Sequence, residues 1–185
     1  MTIVKLGGAL LAPARLPDTV AALAALQAAG PLVLVHGAGP QLDALCQARG
    51  LAVQKVAGRR ITSPAVLAAL QDAALALNRE LVAGLLAQGW PALGTTAADA
   101  GLVQARKRPP RTIAGQVVDF GRVGDVVQVD GPRLQQLAAA CVPVLACLTY
   151  QAGLGYLNTN ADTLAQALAE ATQAQTLLLL SDVPG

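Results

Sequence analysis

Residues 32–35, Leu-Val-Leu-Val, form an unbroken aliphatic run. The run stops at His36-Gly37-Ala38-Gly39-Pro40, and a helical segment follows over 41–49. A strand apolar on both sides must be covered on both faces, which is the condition of a strand inside a parallel sheet. The same alternation recurs along the chain. A strand at 3–6 precedes a helix over 17–29, and a long helix over 65–88 precedes a strand at 90–94. Helices over 131–140 and 160–172 lead into strands at 142–147 and 176–180. Residues 52–62 read as a small hairpin. Strands and hairpins at 102–105 and 116–129 flank a basic, proline-rich loop at 106–112, and 148–157 reads as a glycine-containing turn region. Strands alternating with helices predict an α/β fold, a mainly parallel sheet sandwiched between helices. Ligands of such sheets gather past the carboxyl ends of the strands.

With 54% hydrophobic and 13% charged residues, the chain can bury a large core and is not of the disordered class. A net charge of +2 says little about partners, and no nucleic-acid partner is expected. The cluster Arg106, Lys107, Arg108 and Arg111 reads as a solvated loop. Cys46, Cys141 and Cys147 lack CxxC spacing, so free thiols are expected and no metal site. No signal-like start and no apolar run of membrane-spanning length occur, which predicts a cytoplasmic protein without membrane contact. GxxxxGK[ST], GxGxxG and GxSxG are all absent, which disfavours a P-loop enzyme, a dinucleotide fold and a serine hydrolase. His36, the only histidine, is expected to be a structural hydrogen-bonder.

Three stretches fall at strand ends. Lys5, one of only three lysines, closes the first strand ahead of Gly7 and Gly8. A cation at the end of a buried strand calls for an anion, and paired glycines let backbone N–H groups approach one closely. Taken alone, the stretch reads rather as a core strand with a surface-turn lysine. Gly37-Ala38-Gly39 opens a helix whose N-terminus can collect an anion, and Pro40 suits its first turn. Asn158, Asn160 and Asp162 crowd a turn before a helix, where a cap requires only one such side chain. A buried Asp162 would need a cation, and Lys5 is the candidate.

VKLGG at 4–8, LVHGAGP at 34–40, GRRIT at 58–62, LNTNAD at 157–162 and LLLLSDVPG at 177–185 occur in that order. Together they resemble the amino-acid kinase family and, within it, the N-acetylglutamate kinases of arginine biosynthesis. The resemblance covers nearly the whole chain, and VGDVVQVD at 123–130 resembles a hairpin of those enzymes. It implies an amino-acid/carbamate kinase-like fold, with residues 1–185 forming a substrate lobe and the beginning of an ATP-binding lobe. The implied reaction moves the γ-phosphoryl group of ATP to the side-chain carboxylate of N-acetylglutamate, making an acyl phosphate. Lys5 would neutralise the migrating group and Asp162 would orient Lys5. Gly7, Gly8, Gly37 and Ala38 would line the phosphoryl and carboxylate sites, with N–H donors from Gly8, Gly37 and Ala38. Arg60 would clamp a substrate carboxylate, Asn158 would hold the amino-acid end, and Asn160 would support the site. Asp182, Val183, Pro184 and Gly185 match the start of a nucleotide loop. Magnesium would travel with ATP on phosphates and water, without a dedicated protein site.

The departures are equally specific. Family members continue past DVPG with most of the adenine pocket and a second catalytic lysine, and no lysine follows Lys107 here. The expectation is a chain with an incomplete C-terminal part and impaired activity. Ala38 stands where a glycine is usual, and 94–101 replaces a loop richer in glycine and serine. The basic 106–111 stretch resembles relatives that phosphorylate a carrier-bound aminoadipate or glutamate, and an acidic carrier protein is the partner under that alternative. A non-catalytic acylamino-acid-binding domain is the other. A homodimer through the 65–88 helix is expected.

Overall fold

The computed structural model describes residues 1–181. In chain order the elements are β1 (Thr2–Leu6), α1 (Leu16–Ala28), β2 (Leu32–His36), α2 (Gly39–Ala48), β3 (Gln54–Val56), β4 (Arg59–Ile61), α3 (Pro64–Ala87), β5 (Ala92–Thr96) and β6 (Val103–Lys107). There follow β7 (Arg111–Ile113), β8 (Gln116–Val118), β9 (Gly124–Val129), α4 (Gly131–Ala140), β10 (Val142–Ala146), β11 (Leu148–Gln151), β12 (Gly155–Asn158), α5 (Ala161–Thr172) and β13 (Thr176–Leu180).

The central sheet runs β13-β1-β2-β10-β5, and every pairing is parallel. Alternate side chains go to opposite faces, as the pleat requires. Val4, Leu6, Leu32, Leu34 and Val144 pack with Leu23 of α1, Leu42 of α2 and Leu70, Leu77 and Leu81 of α3. Ile3, Val33, Val35 and Leu145 pack with Leu134 of α4 and Leu164 and Leu168 of α5 on the other side. The sheet is thus covered on both faces, as its continuous aliphatic strands demand. The register is level at the carboxyl end: Leu180, Leu6, His36, Ala146 and Thr96 stand in one transverse row. Every loop that leaves this row emerges on the same side of the molecule.

A second sheet, β12-β11-β6-β9, overhangs that side. It corrects the sequence reading of 148–157 as a turn region. Leu148-Thr149-Tyr150-Gln151 has good strand composition and pairs antiparallel with β12. Gly153 and Gly155, with φ of +76° and +97°, merely supply the tip. Tyr150 and Tyr156 meet edge to face across the pair, 5.7 Å between ring centroids. The basic 106–112 stretch is also more ordered than a loop, since β6 runs through Lys107 and β7 begins at Arg111. The strand placed at 90–94 lies two residues later. The Trp90 N–H closes the end of α3 on Leu85 O, so pairing begins only beyond Pro91. Among the described residues no helix is long and apolar enough to cross a membrane.

Candidate functional site

The row of strand ends and the overhanging sheet enclose a cavity of about 370 Å³. Lys5, Gly7, Gly8, Gly37, Ala38, Arg60, Asn158, Asn160 and Asp162 all line it. Those nine were singled out from the sequence and arrive from four separate stretches. Asp182, Val183, Pro184 and Gly185 lie outside the described residues.

Lys5 is the last but one residue of β1, and its side chain is 14% exposed. Its Nζ lies 2.9 Å from Asp162 Oδ1, on the first turn of α5. Asp162 is half-exposed rather than buried, so lysine, not aspartate, is the member of the pair withdrawn from water. Asn160 is the cap of α5: its Oδ1 accepts from the Thr163 N–H at 2.9 Å. Asn158 donates from Nδ2 to Thr62 Oγ1 at 3.0 Å.

The glycine turns meet face to face. A Cβ on Gly8 would stand 2.8 Å from Gln41 Oε1 and 3.0 Å from Pro40 Cδ, so only glycine lets the two turns approach so closely. Gln41 Nε2 bridges them by donating to Gly8 O at 2.8 Å. Not every amide expected as a ligand donor is available. The Gly37 N–H donates to Leu6 O at 3.2 Å and the Gly7 N–H to Leu180 O at 2.9 Å. Both extend the parallel ladder by one residue past the strand end. Gly8 and Gly39 each begin a helical turn, where N–H groups have no intrahelical acceptor. Gly8, Ala38 and Gly39 all line the cavity.

Behind this turn His36 is fully buried. Its Nε2 lies 3.1 Å from Asn78 Nδ2, which also donates to Val144 O at 2.8 Å and Thr95 O at 3.3 Å. Asn78 therefore ties α3 to β2, β5 and β10, and His36 serves as its partner on β2, a structural hydrogen-bonder as expected. A Cβ on Gly94 would overlap the Asn78 side chain, which explains glycine inside β5. Burial lowers the His36 pKa from its ordinary 6.5 to about 4. Above pH 6.5 the ring is neutral whether the chain is folded or not, and the fold keeps its full stability. As pH falls from 6.5 towards 4 only the unfolded chain takes the proton, so stability is lost across that window. The loss is on the order of 3 kcal/mol. Urea midpoints at pH 7 and pH 5 should differ more in the parent than in His36→Gln; equal differences would remove His36 as the cause.

The sequence reading missed several cavity residues. Lys55, Arg59 and Arg108 add three cations to the lining, and Asp162 is the only acid in it among the described residues. Asp43, set back on α2, pairs with Lys55 at 3.2 Å and with Arg60 Nη2 at 2.5 Å. Although burial alone would raise it, hydrogen bonds from Arg60 and Lys55 hold the Asp43 carboxyl below the usual range. The Arg60 side chain is 10% exposed, and its Nη1 is buried without a partner. Such an orphan donor is costly unless a ligand acceptor meets it. The Cys147 thiol, just past the end of β10, is pushed up to about 11 by burial, which disfavours the thiolate at neutral pH. No cluster of three or more metal-ligating His, Cys, Asp or Glu side chains occurs among the described residues.

The chain is similar to known proteins over its whole described fold. Acetylglutamate kinase of Myxococcus xanthus is 47% identical over 99% of the chain, which spans 63% of that relative's length. The solved structure of smu.665 from Streptococcus mutans superposes with a TM-score of 0.83 at 27% identity, covering all of this chain and 73% of that one. N-acetylglutamate synthase from Neisseria gonorrhoeae, solved with coenzyme A and N-acetyl-glutamate, gives 0.84 at 25% identity, covering all of this chain and 42% of that one. The amino acid kinase family matches residues 1–185 without a break, and the chain belongs to that family.

Proposed function

We propose that the chain is the acceptor-binding part, with the beginning of the ATP-binding lobe, of a kinase that phosphorylates the side-chain carboxylate of N-acetylglutamate. The observation that carries this reading is the charge layout of the cavity. Lys5 stands at the glycine turns and Arg60 presents an unpartnered Nη1 in the same cavity, so a ligand with two anionic ends is satisfied at both. Asp162 is already engaged by Lys5. A free α-ammonium group would then find cations and no unclaimed carboxylate, which favours a substrate whose amino group is acylated.

In this proposal the acceptor carboxylate oxygen attacks the γ-phosphorus of ATP, and the bridging oxygen leaves with ADP. No proton need move, so the protein supplies position and charge. Lys5 Nζ, aimed by Asp162, offsets the charge of the transferring group from a largely water-excluded position. The N–H groups of Gly8, Ala38 and Gly39 would receive phosphoryl oxygens, and the close approach of the turns at Gly8 supports this reading. Arg60 and Asn158 would hold the far carboxylate.

The carrier-linked alternative rests on the basic stretch 106–111. Lys107 there pairs with Asp119 at 2.8 Å and Arg108 with Asp125 at 2.5 Å. That neutralisation leaves less charge for an acidic carrier and supports a free small-molecule substrate. A non-catalytic binding domain would share the acylamino-acid site and differ only in turnover.

Calorimetry tests the reading. N-acetylglutamate should bind, glutamate should bind at least about tenfold more weakly, and Arg60→Ala should cost roughly tenfold to a hundredfold in affinity for N-acetylglutamate. Equal affinity for the two ligands, or an Arg60→Ala variant with parent affinity, would refute it.

A further inference from the structure

Arg108 belongs to the stretch that reads from sequence as a solvated basic loop, yet it is only 5% exposed and lines the cavity. Its Nε and Nη2 both donate to Asp125 Oδ1, at 2.9 and 2.5 Å. The guanidinium carbon lies 5.9 Å from the Phe120 ring centroid, within the range of cation–π attraction. Asp125 and Phe120 thus fix the plane of the guanidinium from two directions. A buried arginine held so firmly is pre-organised for a planar anion. Its Nη1 has no hydrogen bond among the described residues.

The backbone puts Arg108 on the same wall as Arg60. Thr62, two residues after Arg60, is bridged to Gly121, and Val123 is bridged to Asn158. The Arg108 N–H donates to Val123 O at 2.8 Å. Arg60 is built in the same manner: Asp43 holds its Nη2 from behind, and its Nη1 is unclaimed. Two arginines on one wall, each steadied by its own carboxylate and each with one Nη1 uncommitted, fit one carboxylate better than either does alone. The opposite end of the cavity, at Lys5 and the glycine turns, is left for the reacting carboxylate.

We propose that Arg108 is a specificity-determining residue that joins Arg60 in clamping the non-reacting α-carboxylate of the acylamino dicarboxylate substrate. The proposal rests on the acetylglutamate reading above and adds to it a contact that neither the family motifs nor the relatives' names imply. It also accounts for the burial of one cation out of a run of basic residues. Arg108 faces the substrate, whereas Arg106 and Arg111 are exposed.

The test compares two ligands by calorimetry, N-acetylglutamate and its α-carboxamide, which keeps the side-chain carboxylate and loses the α-anion. The parent chain should prefer the acid by roughly a hundredfold. Arg108→Gln should lose roughly tenfold to a hundredfold in affinity for the acid while binding the amide as the parent does. Arg108→Lys, which keeps the charge without the fork, should fall between them. Circular dichroism and urea midpoints identify a variant that fails to fold, and Arg108→Lys then carries the comparison. If the variant binds the acid as tightly as the parent, or weakens acid and amide alike, Arg108 is structural and the inference is wrong while the acetylglutamate reading stands. If the parent chain binds neither ligand, the acetylglutamate reading falls and takes the inference with it.

Discussion

In protein that turns over acetylglutamate, Lys5→Met is expected to lower phosphoryl transfer by about three orders of magnitude and to leave acetylglutamate affinity within about threefold. The asymmetry follows from position. Lys5 stands at the glycine turns, where the proposed transfer would redistribute charge, whereas the proposal gives the acceptor's other carboxylate to Arg60 and Asn158. An interaction that is stronger in the transition state than in the ground state appears in kcat and barely in binding. Methionine matches the length and apolar stem of lysine. Asp162, half-exposed, can return to water when its partner is lost, so stability should change by no more than about 1 kcal/mol. Asp162→Asn should be milder, roughly tenfold to a hundredfold in turnover, because Lys5 stays charged and loses only its aim. Hydroxamate formed from the acyl phosphate reads turnover, and calorimetry reads binding. A Lys5→Met variant with parent turnover would end the proposed role; one that loses affinity and turnover in equal measure would make Lys5 a binding residue instead.

Much of this site was legible because its parts stand in a recognisable order. Lys5 followed by Gly7 and Gly8, and a glycine-rich turn opening a helix, are each weak signals alone; their order with the other motifs, through the family resemblance, is what singled them out. The level register of β13, β1, β2, β10 and β5 then brings residues more than 150 positions apart to one edge. Asn158, Asn160 and Asp162 exceed what a helix cap needs, and the structure divides them accordingly. Asn160 caps, Asp162 reaches Lys5, and Asn158 turns to Thr62.

What escaped was set by tertiary partners. Nothing local distinguishes Arg108 from Arg106; burial depends on Asp125 and Phe120, which lie on a distant strand and loop. Asp43 sits on a helix face like any solvated carboxylate until the β3–β4 hairpin brings Lys55 and Arg60 onto it. The β11–β12 hairpin was hidden because Gly153 and Gly155 outweigh Leu148-Thr149-Tyr150-Gln151 when composition is read without the neighbouring β6. The resemblance gives the Gly37 amide to a ligand, whereas the ladder runs one residue past the strand ends and takes it.

Gly121→Ala should produce the largest loss of stability of any single methyl added near the site, about 2–5 kcal/mol. Two independent terms combine. At φ of +70° an alanine costs about 1–2 kcal/mol in the left-handed region. The new Cβ would also overlap the carbonyl oxygen of Thr62, and relieving such a backbone clash costs about 1–3 kcal/mol. Gly153→Ala separates the terms, because φ there is +76° but nothing lies within 4 Å of the added Cβ. It should lose only about 1 kcal/mol. The consequence for binding is specific to Gly121. Thr62 O accepts from the Arg122 N–H at 2.7 Å, and the Thr62 N–H donates to Phe120 O at 2.9 Å. Thr62 Oγ1 also accepts from Asn158 Nδ2. Pushing Thr62 away therefore moves Arg60 and releases Asn158 together. Acetylglutamate affinity should fall roughly tenfold in Gly121→Ala and stay at the parent value in Gly153→Ala. Urea titration and calorimetry measure both effects. Equal losses of stability in the two variants would mean that backbone conformation alone, not the Thr62 contact, makes glycine necessary in the wall of the site.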